Sequence, residues 1–173
     1  RTPVREALRR LSDERLTQHV THRGTLVAPM GMDDILAVYL VREGLEGLAA
    51  QLTASRQPPG LVAELAAVHK QMQAAAEAGN SAVMVTLNLK FHRLLREGSG
   101  NSYLERFLTQ VEHAVRRFGR STFEEPGRAA TAVAEHAAIL EAIATGDATL
   151  AAQRATEHMR RARDARIQAM LAG

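Results

Sequence analysis

Apolar residues recur at three- and four-residue steps through most of this chain, the spacing that gathers side chains on one face of an α-helix. From Asp33 onward, six such stretches are separated by short segments that contain glycine, asparagine or proline, the residues at which helices end. Short connections favour antiparallel packing of consecutive helices. The pattern therefore predicts an all-α fold, an antiparallel helical bundle.

The first helix of the predicted bundle carries a long apolar stripe, which we expect to face the core. Its members are Ile35, Val38, Val41, Leu45, Leu48 and Leu52. Arg42 lies in phase with Val38 and Leu45, so we expect its guanidinium to point inward, where it could bind a carboxylate. The alternative is a surface ion pair with Glu46, one turn further on.

Residues 1–29 follow a different pattern. They open with a predicted helix, which Thr2 can cap. Residues 16–20 and 25–28 then alternate like two strands around a turn that contains glycine. A helix followed by a short hairpin with basic residues at its tip is half of a winged helix–turn–helix. We therefore predict a partial winged helix–turn–helix DNA-binding domain at 1–29 and a helical domain at 30–173.

The formal net charge of +3 is modest, but arginine is concentrated near the start of the chain. The arginines of this region are Arg1, Arg5, Arg9, Arg10, Arg15 and Arg23. A basic end on a nearly neutral body suggests that this end binds an anionic partner, and nucleic acid is the first candidate. The alternative is a charged helix that is simply solvated. The chain begins at Arg1 without a methionine, so we expect it to be a fragment of a longer protein.

Composition excludes several classes of protein. The absence of cysteine excludes disulfides and thiolate metal sites, and it fits a reducing compartment. No apolar run approaches the roughly 20 residues that are needed to cross a bilayer. We therefore expect a cytoplasmic protein that has no membrane contact.

Two polar residues in the third helix of the bundle are candidates for chemistry. Asn88 and His92 lie one turn apart, beside the apolar stripe that contains Leu87, Phe91 and Leu94. An imidazole nitrogen and an amide oxygen on one face are candidate ligands for half of a metal site.

The other half is predicted from two later histidines. His136 falls in the apolar stripe of the fifth helix and His158 in a stripe of alanines in the sixth, so both should face inward. Each lies 11 residues from Asp147, which marks the turn between the two helices. At about 1.5 Å of rise per residue, the two imidazoles are level on an antiparallel hairpin. With Asn88 and His92, three imidazoles and an amide oxygen could close around one cation; ordinary core histidines are the alternative.

The type of ligand favours particular metals. Imidazoles without a carboxylate favour zinc first and nickel second, and they disfavour magnesium and calcium. Because these ligands are uncharged, the metal would keep its full double charge. That charge favours an anionic organic ligand in the open coordination positions.

Two stretches near the start of the chain resemble the recognition helix and the wing of GntR-family bacterial transcription regulators. They are Arg1-Thr2-Pro3-Val4-Arg5-Glu6-Ala7-Leu8-Arg9-Arg10-Leu11, and Arg23-Gly24-Thr25 with Val27-Ala28. In that family the helix enters the major groove and the wing tip reaches the adjacent minor groove. The first two helices of the family's DNA-binding domain are not within this sequence.

This resemblance implies which residues contact operator DNA. Arg1 and Arg5 would contact bases or phosphates, and Thr2 would contact a phosphate. Arg23 and Gly24, at the wing tip, would reach the minor groove. The chemistry agrees, because arginine offers a planar donor fork and glycine lets the backbone approach closely.

Five short motifs in the rest of the chain are similar, in order and spacing, to the FCD effector-binding domain of the FadR subfamily of GntR regulators. They are Arg42-Glu43-Gly44-Leu45-Glu46, Asn88-x-x-Phe91-His92, Gly100-Asn101, Glu135-His136 and His158. The resemblance implies an antiparallel bundle of six or seven helices. In many members an aspartate and three histidines bind a divalent metal, which helps to hold a small carboxylate effector.

The FCD resemblance implies two overlapping sets of site residues. The metal ligands would be Asn88, His92, His136 and His158, and the effector would contact these four residues and Arg42. Asn88 stands where many relatives have aspartate. This departure implies a site with less negative charge and a weaker hold on the metal.

The leading hypothesis is a transcription regulator, a repressor by the family resemblance, that binds a pseudo-palindromic operator as a homodimer and responds to a small organic acid. A helical metalloenzyme is the rival, since three histidines with open positions could activate water. A metal-sensing regulator is the third hypothesis. We expect Glu135 to point away from His136, which leaves no acid or base poised for catalysis, so we predict a regulator and not an enzyme.

The arginines of the last helix, Arg160, Arg161, Arg163 and Arg166, are expected to be solvated.

Overall fold

The computed structural model describes residues 2–14 and 16–172. The chain separates into two compact units, Arg1–Gly31 and Met32–Gly173. The predicted contact of Arg1 with DNA lies outside the described residues.

The first unit consists of one helix and one hairpin. Helix α1 spans Thr2–Asp13, and strands β1 (Thr17–Val20) and β2 (Gly24–Val27) pair in an antiparallel ladder. His22 and Gly24 have φ angles of 65° and 79°, so the tight turn uses left-handed backbone on both sides of Arg23. The predicted combination of helix and wing hairpin is confirmed.

No residue of α1 is buried. Its apolar stripe is open to solvent, with Val4 exposed to 64% and Leu8 and Leu11 to 37% each. This stripe is therefore not covered by any residue that the structure describes.

The second unit is an all-α bundle, which confirms the predicted fold class. Its helices are α2 (Met32–Arg56), α3 (Leu61–Glu77), α4 (Ser81–Gly98), α5 (Ser102–Arg116), α6 (Arg128–Ala144) and α7 (Ala148–Ala172). A short 3-10 turn at Thr122–Glu124 lies in the connection between α5 and α6. None of the described helices is long and apolar enough to cross a membrane.

Polar side chains begin several of these helices. The Asn80 side chain accepts a hydrogen bond from the backbone N–H of Val83, and the Asn101 side chain accepts from the N–H groups of Tyr103 and Leu104. These caps satisfy backbone donors that a helix cannot satisfy internally. They fix where α4 and α5 begin, and thereby the height of every residue on these helices.

The main core lies between α3, α4 and α6. Its largest fully buried side chains include Leu65, Met72, Met84, Phe91, Ile139 and Ile143. Burial of each such side chain contributes about 1.5–3 kcal/mol. This packing fixes α4 and α6 relative to each other, and with them the candidate site residues His92 and His136.

The face of α2 that packs inward differs from the predicted stripe. Val41 and Leu48 are exposed to 50% and 41%, whereas Glu43 and Glu46 are buried. The reason is close packing against α7: a Cβ atom added at Gly47 would lie 2.6 Å from Thr156 Oγ1. The inward face therefore combines Ile35 and Tyr39 with small residues and with two buried carboxylates that bind partners on α7 and α4.

Candidate metal centre

Three histidines from three helices meet in the interior of the bundle. His92 on α4, His136 on α6 and His158 on α7 are exposed to 4%, 0% and 3%. The Nε2 atom of His92 lies 3.3 Å from Nε2 of His136 and 3.3 Å from Nε2 of His158. The cluster therefore gathers three potential ligand nitrogens around one point.

The antiparallel hairpin of α6 and α7 positions two members of this cluster. Asp147 lies between the two helices, and its side chain accepts a hydrogen bond from the N–H of Leu150. The ring centroids of His136 and His158 are 4.4 Å apart, and each lies 5.3 Å from the ring of His92. The structure thus brings together the three histidines that the sequence singled out.

Two buried glutamates orient the imidazoles. Nδ1 of His92 lies 3.2 Å from Oε2 of Glu46, and Nδ1 of His158 lies 2.6 Å from Oε2 of Glu135. Because a carboxylate accepts, each Nδ1–H donates, and this assigns a lone pair to each Nε2. We expected Glu135 to point away from His136. It lies on the buried face of α6 and binds His158, the histidine of α7.

This arrangement leaves lone pairs that the protein alone does not satisfy. With both Nδ1 atoms protonated, Nε2 of His92 and Nε2 of His158 face each other at 3.3 Å without a hydrogen between them. Nε2 of His136 can donate one proton to Nε2 of His92. That proton does not lie between His92 and His158, so the contact between these two rings still has no hydrogen bond. Two imidazole nitrogens bound at about 2.05 Å to one tetrahedral zinc ion lie about 3.3 Å apart. The donor set and its spacing therefore fit a divalent metal.

The pKa values of His136 and His158 favour neutral imidazoles. Burial, followed by the charges of His158 and His92, holds the pKa of His136 well below the usual histidine range. Burial, followed by the charges of His92 and Arg128, does the same for the pKa of His158. A metal binds the neutral form of histidine, so these shifts keep the ligands ready.

Each orienting glutamate also binds an arginine. Arg42 Nη2 lies 3.3 Å from Oε1 of Glu46, and Arg128 forms a two-pronged pair with Glu135, with Nη1–Oε1 and Nη2–Oε2 distances of 3.1 Å each. Burial alone would raise the pKa of Glu46, but His92 and Arg42 outweigh burial and lower this pKa to about 2. The carboxylate therefore stays charged and keeps its hold on His92.

Arg42 was expected either to point inward or to pair with Glu46 on the surface, and the structure shows a part of each. Its side chain is only 11% exposed and lines the internal cavity, yet it pairs with Glu46 one turn away. The expected ion pair between Arg42 and Glu46 therefore exists, but it is buried and does not lie on the surface. Arg128, the matching partner of Glu135, carried no signal in the sequence that distinguished it from a solvated arginine.

A cavity of about 290 Å³ opens beside the cluster. His92, His158 and Asn88 contribute to its polar wall, together with Arg42 and three further arginines, Arg116, Arg128 and Arg166. Its apolar wall includes Val85, Leu89, Phe123 and Met159. Asn88 is half-buried one turn before His92, so it lies at the cavity, and its role as fourth ligand stays a prediction.

One arginine of the last helix departs from the expectation. Arg160 and Arg163 bind Glu43, and Arg161 binds Glu157, all with partly exposed side chains. Arg166 is only 9% exposed, so the expectation that it is solvated is wrong.

Four of the five predicted DNA-binding residues lie within the described part of the chain, and all four are exposed. Thr2 and Arg5 lie on α1, and Arg23 and Gly24 lie where the hairpin turns into β2. Their surfaces are free to meet a partner, and their contact with DNA stays a prediction residue by residue.

Comparison with known proteins identifies the helical unit. Residues 37–161 match the FCD domain family. The chain is 27% identical over 162 residues to the uncharacterized HTH-type transcriptional regulator YdhC of Bacillus subtilis, covering 91% of this chain and 71% of that protein. It is 28% identical over 159 residues to the probable D-xylose utilization operon transcriptional repressor of Paenarthrobacter nicotinovorans, covering 91% of this chain and 69% of that protein.

Solved structures share the fold. The Escherichia coli protein McbR/YncC superposes with a TM-score of 0.82 at 22% identity, covering 96% of this chain and 84% of that chain. A GntR-family transcriptional regulator from Pseudomonas syringae superposes with a TM-score of 0.68 at 25% identity, covering 99% and 72%. The Bacillus subtilis, Paenarthrobacter nicotinovorans and Pseudomonas syringae proteins are named as transcription regulators or repressors.

Proposed function

The chain belongs to the GntR family of transcription regulators with an FCD domain, and from this premise we propose that its helical unit binds a divalent metal and a small carboxylate effector that changes operator binding. The family makes the chain a DNA-binding transcription regulator and not an enzyme. The metal, the effector and the direction of regulation are the proposal.

The observation that carries the metal proposal is the convergence of three imidazole nitrogens, two of which are fixed by carboxylates. His92, His136 and His158 would hold the ion, and Asn88 is the proposed fourth ligand. Zinc is the first choice and nickel the second, because both accept imidazole nitrogen readily. Glu46 and Glu135 would act through the histidines, since carboxylates on the distal nitrogens orient the rings and raise their basicity.

The effector proposal rests on the charge at the cavity. The bound metal would supply a positive charge and open positions that a carboxylate can occupy. Arg42 lines the same cavity and offers further N–H donors to an anion, although it already binds Glu46. The effector would therefore contact Arg42, Asn88 and the three histidines.

The DNA side of the proposal assigns Arg1, Thr2, Arg5, Arg23 and Gly24 to the operator. Their helix would enter the major groove and the hairpin tip the adjacent minor groove, in a homodimer on a pseudo-palindromic site. We assign the effector the role of relieving repression. By linkage, an effector that weakens operator binding must itself bind less tightly to the DNA-bound protein.

Operator binding with and without effector tests this proposal. The protein with its complete DNA-binding domain is mixed with labelled DNA from its own promoter region at moderate salt, and anisotropy is followed with a panel of small organic acids. We expect one acid to weaken binding at least about fivefold, within the usual range of allosteric coupling. That response should vanish in the double variant His136→Ala/His158→Ala, which should still bind the operator.

His113→Ala is the control for this experiment, because His113 is an exposed histidine outside the cluster. An effector response that persists in the double variant would overturn the proposed site. Failure of the unmodified protein to bind its promoter region would overturn the regulatory role of the effector.

A further inference from the structure

We propose that Arg166 is a second anion-binding group of the cavity and that the effector carries two anionic groups, one for the histidine cluster and one for Arg166. This inference rests on the proposed function, because it takes the cavity to be the effector site. It adds the chemical class of the ligand, a small organic dianion.

The partners of the cavity arginines distinguish Arg166 from the others. Arg42 binds Glu46, Arg128 binds Glu135 and Arg116 binds Glu112, each at 3.3 Å or less. Among the residues that the structure describes, no carboxylate lies within ion-pair distance of Arg166. Arg116 shares Glu112 with Arg96, but its side chain is 58% exposed to solvent. Arg166 is therefore the buried arginine of the cavity wall whose charge has no carboxylate partner among the described residues.

The local contacts of Arg166 do not replace a carboxylate. Nη1 donates to the backbone carbonyl of Arg120, and the guanidinium carbon lies 6.0 Å from the centre of the Phe118 ring. Nε is buried without a hydrogen-bond partner. A guanidinium has five N–H donors, and an uncompensated buried charge costs free energy. Such an arrangement persists where a ligand supplies the missing anion.

The position of Arg166 sets the size of the ligand. Arg166 follows His158 by eight residues on α7, which corresponds to a rise of about 12 Å along the helix. Long side chains on a helix point back toward its N-terminus, so the guanidinium lies nearer to His158 than its backbone does. A chain of a few carbon atoms can therefore join an acid group at the cluster to one at Arg166, and Phe123 and Met159 line the cavity that this chain would cross.

The overall charge of the cavity agrees with a dianion. Arg42 and Arg128 are each neutralised by the glutamate that they bind, and a metal binds histidine in its neutral form. A divalent metal and Arg166 then leave an excess of positive charge that one monocarboxylate cannot balance. A second acid group lowers this excess at the place where Arg166 has no carboxylate partner.

Matched pairs of ligands test this inference. Isothermal titration of the zinc-loaded protein compares succinate with butyrate, glutarate with valerate, adipate with hexanoate, and 3-phosphoglycerate with glycerate. We expect at least one dianion to bind about tenfold or more tightly than its partner, the gain of a charge-assisted forked contact. Arg166→Gln should reduce that preference to about twofold while monoanion affinity and metal content stay unchanged.

Two further variants complete the test. Arg166→Lys, which keeps the charge and loses the fork, should show an intermediate preference and guards against a fold defect in Arg166→Gln. Arg163→Gln removes a carboxylate-bound arginine one turn earlier on α7 and should retain the full preference.

The outcomes separate this inference from the proposed function. Equal binding of both members of every pair, or a preference that survives Arg166→Gln, would refute the role of Arg166 and leave the metal and carboxylate site standing. A preference that depends on Arg166 without any bound metal would support Arg166 and refute the metal. If no ligand of any pair binds, both proposals fail.

Discussion

Nε2 of His92 lies 3.3 Å from Nε2 of His158, although the Nδ1 atom of each ring already faces a buried carboxylate. Two imidazoles in this tautomer present lone pairs to each other. The contact is unfavourable for the protein alone, and it becomes favourable when a cation lies between the nitrogens. The following predictions concern the groups that create this contact and the packing that holds it in place.

Glu135→Gln should weaken metal binding by about 10–100-fold, the usual effect of losing a carboxylate behind a histidine ligand. The amide cannot hold His158 in one tautomer, because it can donate as well as accept. Competition with a chromophoric chelator measures the change in Kd. Glu141→Gln, an exposed position on α6, should leave the Kd unaltered. Equal Kd values for both variants would show that Glu135 does not support the site.

Asn88→Asp should tighten metal binding, since it adds a negative charge beside the three neutral imidazoles. Asn88→Ala should weaken it by removal of the amide oxygen. The same chelator competition ranks the three proteins, with the aspartate variant first and the alanine variant last. If all three have the same Kd, Asn88 is not a ligand.

Gly47→Ala should destabilise the bundle by about 1–3 kcal/mol, the usual cost of overpacking a close contact. The new Cβ would lie 2.6 Å from Thr156 Oγ1 and 3.3 Å from the carbonyl oxygen of Ala152. Gly44→Ala is the matched control on the same helix, because its Cβ would have no neighbour within 4 Å. We expect the control to stabilise the helix by about 0.5–1 kcal/mol through helix propensity. Urea unfolding measures both free energies, and equal values would contradict the close packing of α2 and α7.

Glu112→Gln should cost about 1–3 kcal/mol near neutral pH, because Glu112 joins Arg96 and Arg116 at 2.6 Å each. Burial alone would raise the pKa of Glu112, but its bonds to both arginines outweigh burial and lower the pKa. A lowered pKa stabilises the folded state above the unfolded pKa of about 4.3, and this stabilisation is lost as the pH falls through the folded value. The difference between variant and unmodified protein should therefore shrink in acid.

The control for Glu112 is Glu124→Gln, which removes the exposed pair with Arg120. Exposed pairs contribute about 0–1 kcal/mol, so this variant should differ little from the unmodified protein at any pH. A loss at Glu112 that is independent of pH would show that packing, and not charge, accounts for its contribution.

Much of this architecture could be predicted from the sequence. Apolar periodicity and the turn residues predicted the helices of the bundle. The equal distances of His136 and His158 from Asp147 predicted that the two rings are level, because a helical hairpin has a fixed rise per residue. This argument needs only local helix geometry. The sequence of a single chain is therefore enough to predict that the two rings are level, without comparison with other sequences.

The carboxylates and arginines around the histidines could not be predicted in this way. A hydrophobic pattern assigns charged residues to solvent, whereas Glu46 and Glu135 are buried because histidines of other helices bind them. Their arginine partners, Arg42 and Arg128, lie on the same helices as the glutamates. The same limit explains the inward face of α2 and the burial of Arg166. In each case the decisive contact joins residues far apart in the chain.

The metal content of the purified protein tests the central claim most directly. Protein prepared without chelators or affinity-tag metals is dialysed and measured by inductively coupled plasma mass spectrometry, beside His136→Ala/His158→Ala and the exposed control His113→Ala. We predict one zinc or nickel ion per chain in the unmodified protein and in the control, and a nearly metal-free double variant. A double variant that retains one ion per chain would contradict the three-histidine site.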